Sequence, residues 1–119
     1  MAYEVLVSDE ALGDLDAIVG FIKEQGSPDA ARNWLQSILE TIGSLSVMPS
    51  RCPLAPEAAD LGDPVRLLLH GRRNRMFQIF FLIVESKASR TVRVLHVRHW
   101  ARRPLTAGDL AAWLAEPNP

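Results

Sequence analysis

The sequence predicts a single α+β domain. It begins with a short N-terminal strand and an antiparallel helix hairpin packed on an antiparallel sheet, in the order β-α-α-β-β-β, and ends in a short C-terminal helix. Three observations predict it. Two early stretches, 9–25 and 28–46, carry apolar residues at helical spacing. Three later stretches, 65–70, 76–84 and 91–98, read as strands joined by short turns, and short turns make antiparallel neighbours. The 119 residues suit one domain with one modest core.

Residues 3–7, YEVLV, have the branched and aromatic content of a strand. Ser8 is placed to cap the first helix, with Asp9 and Glu10 at its positive N-terminus. Ala11, Leu15, Ile18 and Ile22 form its apolar stripe, and Gly26 stops it. Ser27-Pro28 is a second start, a capping serine followed by a proline where a helix needs no N–H. Ala31, Trp34, Leu35, Ile38, Leu39, Ile42 and Leu45 continue that helix towards Pro49. The short link between the two stripes makes the hairpin antiparallel.

Residues 49–64 hold four of the eight prolines and no periodicity, and read as a surface loop. Met76–Val84, MFQIFFLIV, is nearly all apolar, the signature of a central strand buried on both faces. Thr91–Val97 follows as the next strand. At the end, Thr106 can cap a helix that turns Leu110, Trp113 and Leu114 to one side, giving an extension over about 106–115. Leu15, Ile18, Trp34, Ile38, Phe81 and Leu95 are expected in the core.

The net charge of −1 conceals a split. Residues 1–64 hold three basic residues against eleven acidic ones, a net of −8. Residues 65–105 hold ten basic residues against Glu85 alone, a net of +9. Such asymmetry suits a polyanion or an acidic protein segment, or else a solvated basic sheet edge with no specific role. No apolar run reaches membrane-spanning length, and the first residues have no basic-then-apolar secretion pattern, so a cytoplasmic protein is expected. Cys52 has no second cysteine to pair with.

No phosphate-binding glycine loop, nucleophile elbow or paired-cysteine site occurs. His70, His96, His99 and Cys52 are the soft-ligand candidates, but His96 and His99 are three apart on a strand and face opposite ways. Neither a metal nor a cofactor is expected. The informative stretch is Val92–Pro104, VRVLHVRHWARRP, a strand that runs into Arg98, His99, Arg102 and Arg103. Guanidinium groups take phosphate or carboxylate in bidentate fashion, and histidine moves protons near neutral pH. Arg66, Arg72, Arg73 and Arg75 can join them in a target- or nucleic-acid-binding set. Solubilising charge at strand ends is the plain alternative.

The order of these parts resembles the RelE/ParE toxin superfamily of type II toxin–antitoxin systems, closer to its ParE branch. The resemblance covers about residues 3–104. It is carried by YEVLVSDEALGDLDAIVGFI, PDAARNWLQSILETIGSLSVMP, VRLL, MFQIFFLIV and the closing H-x-x-R of VRVLHVRHWARRP. Arg66 matches the arginine of the strand after the loop, and His99 and Arg102 match the H-x-x-R. The resemblance implies a toxin held inactive in a hetero-oligomer with its cognate antitoxin.

Two modes of toxicity follow from the resemblance, and a non-toxic binding module of the same fold is a third reading. One mode is inhibition of DNA gyrase, as in the ParE branch, without catalysis. The other is ribosome-dependent cleavage of messenger RNA, with His99 as acid or base and Arg66, Arg98 and Arg102 around the phosphate. The chain has only two lysines, Lys23 and Lys87, and its one tyrosine, Tyr3, lies in the first strand. That leaves the second mode a thin catalytic set and favours the first.

Overall fold

The structure, a computed structural model, describes residues 2–56, 58, 64–72, 75–101, 108, 112 and 114. Its elements are β1 (Glu4–Val7), α1 (Asp9–Gln25), α2 (Pro28–Gly43), β2 (Arg66–His70), β3 (Phe77–Glu85) and β4 (Arg90–His99). The expected order holds. The expected C-terminal helix falls mostly outside the described residues, although Gly108, Ala112 and Leu114 are helical. Among the described residues no helix is long and apolar enough to cross a membrane.

Both helix starts are where the sequence puts them. Ser8 accepts a hydrogen bond from the Ala11 amide at 3.0 Å, and Ser27 accepts one from Ala30 at 3.0 Å. α2 stops at Gly43, two residues before the apolar stripe ends at Leu45, and the chain tightens into a 3₁₀ turn over Ser44–Ser46. Arg51 holds that turn. Its Nη1 donates to the carbonyl of Val47 at 2.6 Å and of Met48 at 3.1 Å, while its Nη2 reaches the Ser44 hydroxyl at 3.0 Å.

The four strands form one sheet in the order β1-β4-β3-β2. β2, β3 and β4 are antiparallel, as the short turns require. β1 lies parallel to β4, Glu4 opposite Thr91 and Val7 opposite Val94, so the sheet is mixed. The helix hairpin carries the chain from β1 at one edge of the sheet towards β2 at the other, and β3 then β4 bring it back beside β1. β1 is shorter than β4, and side chains complete the edge it leaves open. Ser8 donates from its amide to Val94 O at 3.0 Å and from its hydroxyl to Leu95 O at 2.9 Å. The same hydroxyl caps α1. Further along, Asp14 of α1 accepts from the Val97 amide at 2.9 Å and lies 3.0 Å from His96 Nδ1.

Side chains pack against the sheet on both faces. Under the hairpin, Ala11, Leu15, Ile38 and Ile42 pack on Ile79, Phe81, Val92, Val94 and Val97, with Ile18 and Trp34 partly buried at the margin. Phe80 and Phe81 are both fully buried, as a central strand requires. A β-bulge between them places Leu95 as an extra residue, and Leu95 turns to the opposite face. There Phe80 and Leu95 meet Ala55, Ala58 and Val65. The proline-rich segment therefore does more than run along the surface. Its small apolar residues floor the second face, and Leu54 bridges Arg66, with Ala55 N to Val65 O at 2.9 Å and Leu67 N to Pro53 O at 3.0 Å.

Candidate functional site

The register fixes where the candidate residues stand. His70, Phe77 and His99 form one row across β2, β3 and β4 at the end of the sheet. Phe77 belongs to the core under the hairpin, so this row faces the helices. The Trp34 ring meets Phe77 edge-on at 5.0 Å, and Phe77 meets His99 edge-on at 5.2 Å. His70 turns its Nδ1 to the Thr41 hydroxyl of α2 at 2.8 Å, and burial lowers its pKa below the ordinary 6.5. It serves the helix–sheet joint.

His99 is partly buried, and its Nδ1 accepts from the Ala101 amide at 3.1 Å. With Nδ1 accepting, a neutral ring carries its proton on Nε2. Trp100 lies beside it, ring centroids 6.3 Å apart, and is 48% exposed. The Trp100 amide bonds Met76 O at 3.0 Å, which joins the end of β4 to the turn before β3. In that turn Gly71 has φ +98°, and a Cβ there would strike Arg75 O, so the backbone needs glycine. Arg72 and Arg75 stand exposed on the turn. Arg72, Arg75, His99 and Trp100 thus share one end of the sheet. The half-exposed Trp100 ring at this end is not evident from spacing.

The other candidates do not join them. Arg66 pairs in register with Phe81, four residues from Phe77 on the same strand, which is about 13 Å along the sheet. Its Nη1 donates to Cys52 O at 2.6 Å and so ties β2 to the proline-rich segment. Arg98 alternates with Val97 and His99, faces away from the hairpin and is buried at 8% exposure. Arg73, Arg102 and Arg103 lie outside the described residues. Tyr3 is far from His99: its hydroxyl donates to Glu85 at the other end of β3. That bond raises the phenol pKa, with desolvation and the Glu85 charge adding and Arg90 opposing. Among the described residues no cluster of histidine, cysteine and carboxylates is arranged to hold a metal. Cys52 is buried, which pushes its thiol pKa up.

Residues 5–104 match the family model of the ParE toxin of type II toxin–antitoxin systems, parDE. A solved structure, described as the chromosomal ParDE TA system from P. aeruginosa, superposes with a TM-score of 0.65. The two chains are 22% identical, and the match covers 82% of this chain and 96% of that one. No curated protein matches. The family match spans most of the chain, from within β1 to beyond the end of β4. The chain belongs to the ParE toxin family of type II toxin–antitoxin systems.

Proposed function

We propose that this ParE-family chain is a toxin that inhibits DNA gyrase by binding it, with no chemistry of its own, and that a cognate antitoxin neutralises it in the cytoplasm. One observation carries the preference for binding over RNA cleavage. The described residues that cleavage would gather around a single phosphate, Arg66, Arg98 and His99, are spread over about 13 Å and two faces of the sheet. Arg66 is engaged with a carbonyl of its own chain, Arg98 is buried on the far side, and the Nδ1 of His99 is engaged by the Ala101 amide. An inhibitor needs only a surface. Arg72, Arg75, His99 and Trp100 supply one, with two cations, an imidazole and a half-exposed indole at one end of a rigid sheet.

The test is induction in cells without the antitoxin. A gyrase inhibitor stops division, produces filaments and raises the DNA-damage response while translation continues. The purified chain should also inhibit supercoiling by gyrase, and Arg72→Glu with Arg75→Glu should relieve that inhibition. An early halt in protein synthesis, with messages cut at ribosomal A sites and cutting abolished by a folded His99→Ala, would show the endonuclease reading to be the right one.

A further inference from the structure

Among the described residues, the proline-rich segment and Leu114 pack on one part of the sheet face away from the hairpin, over Val65, Phe80 and Leu95, with Leu82 of β3 at the margin. From Leu82 the register continues through Arg93 of β4 to Leu6 of β1, one row across three strands. Val92 and Val94 face the hairpin core, so Arg93 between them points to this second face. Val84 and Thr91 form the next row, Val84 at 42% exposure. The row runs out to β1, which is an edge strand.

Arg93 is partly buried, and its Nε is shut off from solvent with no hydrogen-bond partner. Other arginines of the fold have partners: Arg32 pairs with Asp29, Arg51 and Arg66 hold carbonyls, and Arg90 lies over the Tyr3 ring. A buried donor without an acceptor is a standing cost, and a charged one more so. The row offers apolar side chains on both sides of a guanidinium whose Nε is unmatched. It is complementary to an extended or helical segment that carries one carboxylate between apolar residues.

We propose that the Leu6–Arg93–Leu82 row receives such an acidic segment of the cognate antitoxin, with its carboxylate on Arg93. The proposal rests on the antitoxin reading above and adds the face and the anchor. A charge-assisted hydrogen bond in a partly desolvated setting contributes about ten- to a hundredfold in affinity.

The experiment measures binding of the purified chain to the purified product of the adjoining gene by calorimetry. The wild type binds, Arg93→Met weakens binding about tenfold or more, and Arg93→Glu weakens it further. Arg32→Met on the exposed side of α2 leaves binding unchanged. Replacing one acidic residue of the partner by lysine restores binding to Arg93→Glu. Because a variant can fail to fold, hydrogen exchange of the wild-type complex is measured too. Amides of 4–7, 82–84 and 91–93 should gain protection. If the wild type binds while both Arg93 variants bind as tightly and these amides stay unprotected, the anchor is wrong and the antitoxin reading stands. If the wild type binds no product of its neighbouring genes, the reading itself fails and takes the anchor with it. A dimer of the chain alone that Arg93→Glu dissolves would assign the face to a second copy instead.

Discussion

Arg66→Ala separates scaffold from target at the arginine that the family resemblance singles out. The structure gives Arg66 one good bond, Nη1 to Cys52 O at 2.6 Å, and a contact at 3.5 Å to Ser50 O that is too long to count separately. A bond from a charged donor to a part-buried carbonyl contributes about 1.5–3 kcal/mol. Arg66 is only partly buried, so screening puts the value near the lower end, about 1.5–2 kcal/mol. For a domain of this size each kcal/mol moves the melting temperature by about 4 °C, which makes the expected fall roughly 6–8 °C. Urea unfolding with an unchanged slope should report the same loss. Arg66→Lys keeps a cation with a donor but not the reach of the fork, and should recover part of it. Toxicity of Arg66→Ala should fall only as far as folded protein falls. If the variant melts within about 2 °C of the wild type, the staple is not holding the segment. If it is also harmless when induced, Arg66 meets the target directly and the reasoning here is refuted.

Two further outcomes are expected. Asp14→Ala removes the acceptor of the Val97 amide and the partner of His96, side chains that are 26% and 15% exposed, and should cost about 2 kcal/mol in chemical denaturation; Asp14→Asn keeps an acceptor for Val97 and should lose about half as much, and a loss below about 0.5 kcal/mol for the alanine would remove the carboxylate from the account of the β4 edge. His70 holds its proton less tightly in the fold than in the unfolded chain, because burial depresses its pKa below 6.5, so its contribution is present above that pH and is lost as pH falls through the lower folded value; stability measured from pH 7.5 to 5 should decline more steeply for the wild type than for His70→Gln, and parallel curves would rule the linkage out.

The helices were legible because their signals are local. Ser8, Ser27 and Pro28 act within a turn of where they stand, and both starts agree with the structure to the residue. The apolar run at Phe77–Glu85 was legible for the same reason, since a strand flanked by two others must be apolar on both sides. The parallel pairing of β1 with β4 has no local signature, and the short turns described only the other three strands. The segment over 49–64 misled because prolines mark irregular backbone but say nothing of burial. Ala55 and Ala58, small enough to lie flat on Phe80 and Leu95, were the unread signal. The candidate site was half legible. Sequence spacing put cations at strand ends, yet a guanidinium on a long stem can turn back to its own chain, and Arg66 does.

The strand that seats β1 is also the last strand of the fold to leave the ribosome. Ser8 and Leu95, bonded through the Ser8 hydroxyl, are 87 residues apart in the chain. During synthesis β1 and the hairpin emerge first, and their apolar stripe has no sheet to rest on until β4 follows. Nascent chains that stall before Arg90 therefore carry exposed hydrophobic helices, and they have neither the second neighbour of β3 nor the joint between Trp100 and Met76 that organises the basic end. Interrupted translation of this message yields sticky fragments for proteases and not a weakened toxin.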